Sequence, residues 1–216
     1  MHLNQLQMDW RAVVAIVATT LLLTVNEYHL LFTGLLGETA EARLATRTLL
    51  YLVIPLAIVL LVFRESPTAY GLHAGDWRAG LLLTVGSSAA LAVIMLFIAR
   101  TTDFEGYYAD ATTATRTPFW LADGIELFSW EFFFRGFLLF ALYRAVGPIA
   151  LVLQAVPFTL AHFGKPELET LSCIFGGTAF GYVAWRTDSA LYPFLIHWFL
   201  TSFTKLVASG AVLPPF

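Results

Sequence analysis

Seven apolar stretches, separated by short polar joints, organise this chain: roughly 12–35, 46–63, 79–99, 118–143, 148–163, 168–186 and 189–210. A membrane-crossing helix needs about 20 largely apolar residues, and most of these stretches approach that length. The pattern predicts an all-α, polytopic transmembrane helix bundle of about seven helices (six to eight), with residues 1–216 forming a single transmembrane domain. The first stretch is interrupted by Asn26-Glu27-Tyr28-His29, so it either breaks there or packs its polar step inward. Glu27 and His29 are read as polar packing. The fifth is short and carries Pro157; such a helix is tolerated where neighbours satisfy its backbone or where it lines an aqueous cavity.

The polar joints have their own signals. Arg64–Arg78 holds Pro67, Gly71 and Gly75 and predicts a connection with room for a short interfacial helix. Arg100–Thr117, with Asp103, Glu105 and Asp110, predicts a loop at one membrane face, its Tyr107 and Tyr108 suited to the interface. Arg11 followed by the apolar run from Ala12 resembles the start of a signal peptide. No small-residue cleavage pattern closes the run, so a retained first helix is expected. Gly177 and Gly181 stand one small-x-x-x-small step apart and predict a close helix contact.

Composition sharpens this picture. Hydrophobic residues make up 58% of the 216 and charged residues only 12%, about half the share of ordinary soluble domains. An integral, multi-pass membrane protein follows, with the lipid bilayer as one partner and a bacterial or archaeal plasma membrane as the expected location. A formal net charge of −3 gives no reason to expect nucleic acid. The single cysteine, Cys173, lies in an apolar run and reads as a buried, inert thiol.

Against that background the charged residues inside apolar stretches stand out, because such groups are costly and tend to face a protein interior or a wet cavity. Glu131 and Arg135 are four residues apart in Trp130-Glu131-Phe132-Phe133-Phe134-Arg135-Gly136, so they share a helix face and can pair. Asp123, Glu126 and Trp130 fall on one stripe, with Glu131 rotated about 100° from it. His162 and His197 lie in similarly apolar company, and Thr201 follows His197 by one turn. Lys205 either snorkels to the surface or pairs with an acid. Carboxylates and two imidazoles on three helices are the parts needed to activate a water and stabilise an oxyanion. The same residues could instead hold zinc through Glu131, His162 and His197, although no H-E-x-x-H signature is present.

Glu131-x-x-x-Arg135-Gly136, Phe158-x-x-x-His162 and His197-x-x-x-Thr201, in that order, resemble the CAAX-protease and bacteriocin-processing (Abi) family of intramembrane endopeptidases. The resemblance runs from about Glu126 to Lys205 and defines a family core over 118–210. The family's motifs are E-E-x-x-x-R, F-x-x-x-H and H-x-x-x-N, and Phe134-Arg135-Gly136-Phe137-Leu138 follows its F-R-G-F-L phrase. The resemblance implies cleavage of membrane-associated or prenylated polypeptides by a glutamate-type mechanism, with no cofactor. The first motif glutamate and the F-x-x-x-H histidine would activate water; the last histidine and asparagine would hold the oxyanion.

Two positions depart from the family. Trp130 stands where the first glutamate is expected, and Thr201 replaces the asparagine. Threonine keeps a hydroxyl donor, whereas tryptophan supplies no base. The candidate catalytic set is therefore Glu131, His162, His197, Arg135, Thr201 and Glu126, the last as a carboxylate one turn from Trp130. Two alternatives stay open. One is a catalytically silent family member that binds a membrane partner. The other is a small proton-coupled transporter, for which paired broken helices in related halves would be the signal.

Overall fold

The computed structural model describes residues 9–113 and 116–212. It is all-α, and four helical runs, Trp10–Leu36, Ala40–Phe63, Trp77–Ile98 and Phe119–Leu160, are long and apolar enough to cross a membrane. Helix α1 is Trp10–Tyr28, capped by the Asp9 carboxylate, which accepts from the Arg11 amide. It ends at the polar step foreseen in the sequence, after which Thr33–Leu36 adds one further turn. Glu27 and His29 are exposed rather than packed, because the break at His29 leaves both at the end of α1.

Helix α2 is Ala40–Phe63, capped by Thr39. Its winding loosens to π-type on either side of Pro55, at Leu49–Val53 and Ile58–Phe63. A proline cannot donate its ladder hydrogen bond, and local π adjustments re-satisfy the backbone around it. A 3-10 turn at Pro67–Tyr70 then leads to α3, Trp77–Ile98. In the following stretch the structure corrects the expected loop: Thr102–Tyr108 is a helix, α4. Its Phe104 and Tyr108 are buried against Met95, Ala99, Val207 and Ala208. Tyr108 is therefore a packing residue whose hydroxyl donates to Glu169 at 2.8 Å, not an interfacial one. Two aromatic rings four residues apart, Phe104 and Tyr108, were enough to form an apolar side that charge content concealed.

Helix α5 covers 119–146 and changes to π winding at Phe132–Leu138. Helix α6, 147–160, is broken at Gln154 and short, as Pro157 suggested. Helices α7, Glu167–Thr187, and α8, Leu191–Ala208, complete the bundle. The core is aromatic: Phe63 stacks on Tyr70 and Phe137, Phe137 on Phe133, and Phe133 meets Tyr51, and every one of them is nearly inaccessible. Outward positions of α3 are apolar and exposed, including Leu82, Val85, Val93 and Phe97. That is the surface a helix presents to lipid.

Small residues set the closest approaches. Gly177 and Gly181 bring α7 onto α6, where a Cβ at Gly177 would lie 2.9 Å from Phe158 and one at Gly181 2.7 Å from Gln154 Nε2. Gly136 meets the Tyr70 carbonyl, where a Cβ would stand only 2.8 Å from its oxygen. On the same side of the molecule, Glu65 joins Arg11 at 3.1 Å, Arg144 at 2.6 Å and the Tyr70 hydroxyl at 2.8 Å. Burial opposes ionisation of Glu65, but Arg144, Tyr70 and Arg11 outweigh it and hold the carboxyl below its ordinary range. This knot ties the starts of α1 and the 64–71 connection to the end of α5. Gly136→Ala is expected to destabilise the protein by about 1–3 kcal/mol, because a backbone carbonyl cannot swing aside. Gly86→Ala, which meets nothing within 4 Å, should be neutral or stabilise by up to about 1 kcal/mol. Thermal unfolding of both variants in detergent checks the contrast.

Candidate active site

The i,i+4 pair is real and deeply placed. Glu131 and Arg135 are both fully buried, and Arg135 Nη1 donates to Glu131 Oε1 at 3.0 Å. Helix α5 turns from α to π winding immediately after Glu131, and insertions of this kind recur at functional positions. The guanidinium lies 3.9 Å from the centre of the Phe158 ring and donates through Nη2 to the Gly177 carbonyl at 3.4 Å. A cation over an aromatic face, with no water nearby to compete, gains more than at a surface. Gln154, also fully buried, donates to the same carbonyl at 2.8 Å and so links the break in α6 to this centre.

The third member comes from α8. His197 Nδ1 lies 2.6 Å from Glu131 Oε1. A carboxylate only accepts, so Nδ1 donates in this bond, and Nε2 has no hydrogen-bond partner among the described residues. His162 behaves alike: its Nδ1 is 2.7 Å from the Phe158 carbonyl oxygen, which again must accept, and its Nε2 has no hydrogen-bond partner among the described residues. Both histidines thus have one ring nitrogen anchored and the other available as a base or metal ligand.

A cavity of about 1020 Å³ opens beside this centre, lined from α1, α2, α4, α5, α6 and α8. His162, His197, Thr201, Asp123, Glu126 and Trp130 all reach its wall. Glu131 and Arg135 do not. The helical stripe expected for Asp123, Glu126 and Trp130 is the one that faces the cavity, and Glu131 lies behind it. The two α5 carboxylates on this wall are paired with cations from other helices. Glu126 is bonded to Arg47 of α2, and Asp123 Oδ1 accepts from Lys205 of α8 at 2.5 Å. Lys205 therefore pairs with an acid, one of the two outcomes its position allowed. Trp130 is the remaining member of the stripe, packed between the Tyr51 ring at 5.1 Å and the His162 ring at 5.9 Å.

Among the described residues no three His, Cys, Asp or Glu side chains converge as a set of metal ligands. Glu131 is turned to Arg135 and the Nδ1 of His197, which differs from the arrangement a shared zinc ion would need. Cys173 is buried, as its apolar neighbourhood implied. Lys165 donates to Glu169 at 2.7 Å at the cavity rim; burial works against its charge, but Tyr108 and Glu169 prevail and raise its affinity for the proton. Sequence reasoning missed Arg47 altogether. Its signal was a lone cation near the start of an apolar stretch, which has no partner visible in the chain order.

Residues 124–203 match the family model of Rce1-like proteins, type II CAAX prenyl endopeptidases. The match supports the CAAX-protease family suggested by the three motifs and, at family level, an intramembrane endopeptidase. No curated protein and no solved structure matches the chain. The matched segment contains every candidate site residue, Glu126 through Thr201, while Arg47 and Lys205 lie outside it.

Removing one partner of the buried ion pair leaves an uncompensated charge where water cannot reach it. Arg135→Ala is expected to cost about 3–5 kcal/mol. A Glu131→Gln/Arg135→Met double variant should lose less than the sum of its two single changes, since each single change strands the other group. Unfolding midpoints of the four proteins in one detergent test the coupling, and additive losses would refute it.

Proposed function

We propose that the chain is a multi-pass membrane endopeptidase that hydrolyses peptide bonds of membrane-associated, including prenylated, polypeptides. The observation that carries this reading is the delivery of His162, from the turn after α6, and His197, from α8, to the wall of one cavity, each anchored through Nδ1. Thr201 joins them there. Its neighbour Thr204 spends its hydroxyl on the Leu200 carbonyl at 2.7 Å, whereas Thr201 makes no hydrogen bond among the described residues. A free hydroxyl one turn from an imidazole suits the donation of a hydrogen bond to a developing oxyanion. In this reading the histidines take and return the water's protons, Thr201 serves the oxyanion, and Arg135 with Glu131 supports the wall from behind. Glu126 is the weaker candidate for the base, because its charge is already committed to Arg47. The reaction so described needs no cofactor.

A second reading has one observation in its favour. The Trp130 ring stands beside His162, where the family's first glutamate would lie, and brings no proton acceptor. A silent family member that holds a membrane partner in the cavity would tolerate that change.

Cleavage of a prenylated peptide by the protein in proteoliposomes distinguishes the two. Wild-type protein is expected to release product, and His162→Ala to slow it by about 10²–10⁴-fold, the usual worth of a positioned acid–base group. Saturable binding of the same peptide without product would favour the silent reading.

A further inference from the structure

We infer that the general base of this site is His197 Nε2, with Glu131 acting as a positioning residue through Nδ1. The proposal rests on the peptidase reading above and concerns which group moves the proton. Three observations lead to it. First, the three carboxylates that α5 brings to this centre and its cavity are engaged: Asp123 with Lys205, Glu126 with Arg47, and Glu131 with Arg135. Second, the position facing His162 is an indole, so the carboxylate–histidine partnership at that point is missing. Third, one carboxylate–histidine contact does exist, the 2.6 Å bond from His197 Nδ1 to Glu131 Oε1, and of its two members only His197 lines the cavity.

The chemistry follows from hydrogen-bond directions. A buried carboxylate that accepts from Nδ1 selects one imidazole tautomer, holds the ring in place and stabilises the imidazolium that forms when Nε2 takes a proton; this is the logic of carboxylate–histidine dyads on unrelated folds. Arg135 is what makes the dyad usable. Its charge balances Glu131, so the carboxylate does not have to be neutralised by a proton held permanently on His197. The step balances simply. Water gives one proton to His197 Nε2 as its oxygen bonds to the scissile carbonyl carbon, and the carbonyl electron pair moves to oxygen. When that pair returns, the C–N bond breaks and the imidazolium proton passes to the leaving nitrogen, which restores the neutral ring.

The test joins a spectroscopic and a kinetic readout on the full chain. The protein is labelled with ¹⁵N-histidine in detergent micelles, and the His197 signal is assigned by its loss in His197→Gln. The expected result is a ring protonated at Nδ1 and bare at Nε2, and a mixture of tautomers in Glu131→Gln. On the prenylated peptide, Glu131→Gln should lower kcat by about 10²–10⁴-fold with KM little changed, and Glu131→Asp should recover part of the loss. Should Glu131→Gln fold poorly, the wild-type tautomer and the Glu131→Asp kinetics still decide. A His197 ring bare at Nδ1 overturns the proposal whatever the activity. So does cleavage that survives in Glu131→Gln and His197→Gln but is lost in His162→Ala, an outcome that would leave the peptidase reading standing. Absence of cleavage by the wild-type protein would overturn both.

Discussion

A single buried charge centre, Arg135 against Glu131 and Glu131 against His197, governs how this bundle is assembled. Its components come from α5 and α8, and its outer contacts from Phe158 and Gln154 on α6 and Gly177 on α7. An ion pair sealed from water is not by itself a strong source of stability, since its desolvation can cancel its attraction. Its effect is on specificity. The carboxylate has a satisfactory environment only when four helices adopt one mutual placement, and any slip in register strands a charge in an apolar medium. The close approach at Gly177 is part of that placement, because a bulkier residue would push Phe158 and the guanidinium apart.

Around this centre the cavity is built from long-range pairings. Arg47 reaches Glu126 from 79 positions away, and Lys205 reaches Asp123 from 82. Each brings a helix from outside the family-matched segment, or from its very end, onto the acidic stripe of α5. The N-terminal helices are thus not mere bulk: α1 and α2 supply one wall of the cavity, and α2 supplies a counter-charge. Short helix α4 covers the rim through Tyr107 and Tyr108, held by the Tyr108–Glu169–Lys165 chain.

Much of this was legible in the chain. The seven apolar stretches marked the helices because burial in lipid demands long apolar runs, a signal that sums over many residues. Glu131 with Arg135 was visible because helical spacing makes i and i+4 neighbours without tertiary knowledge. The 100° rotation between Trp130 and Glu131 also carried through: one faces the cavity and the other is hidden behind it. What escaped was everything decided by tertiary contact. Nothing in a linear sequence assigns Arg47 to Glu126, or turns His197 Nδ1 toward Glu131. Helix α4 escaped for a different reason, since Thr102–Tyr108 is polar overall and hides an apolar side of only two aromatic rings.

The replacement of a motif carboxylate by Trp130 is best understood through charge balance within this architecture. A second free carboxylate next to Glu131 would place two like charges close together in a poorly solvated region, with Arg135 able to neutralise only one. Trp130 removes that demand and adds contacts with Tyr51, Phe134 and Phe158. The result is a cavity whose α5 acids are matched by cations and whose wall also carries two imidazoles. On the α5 side of that wall each carboxylate has a cation that holds its charge, so the groups left without one are the two rings.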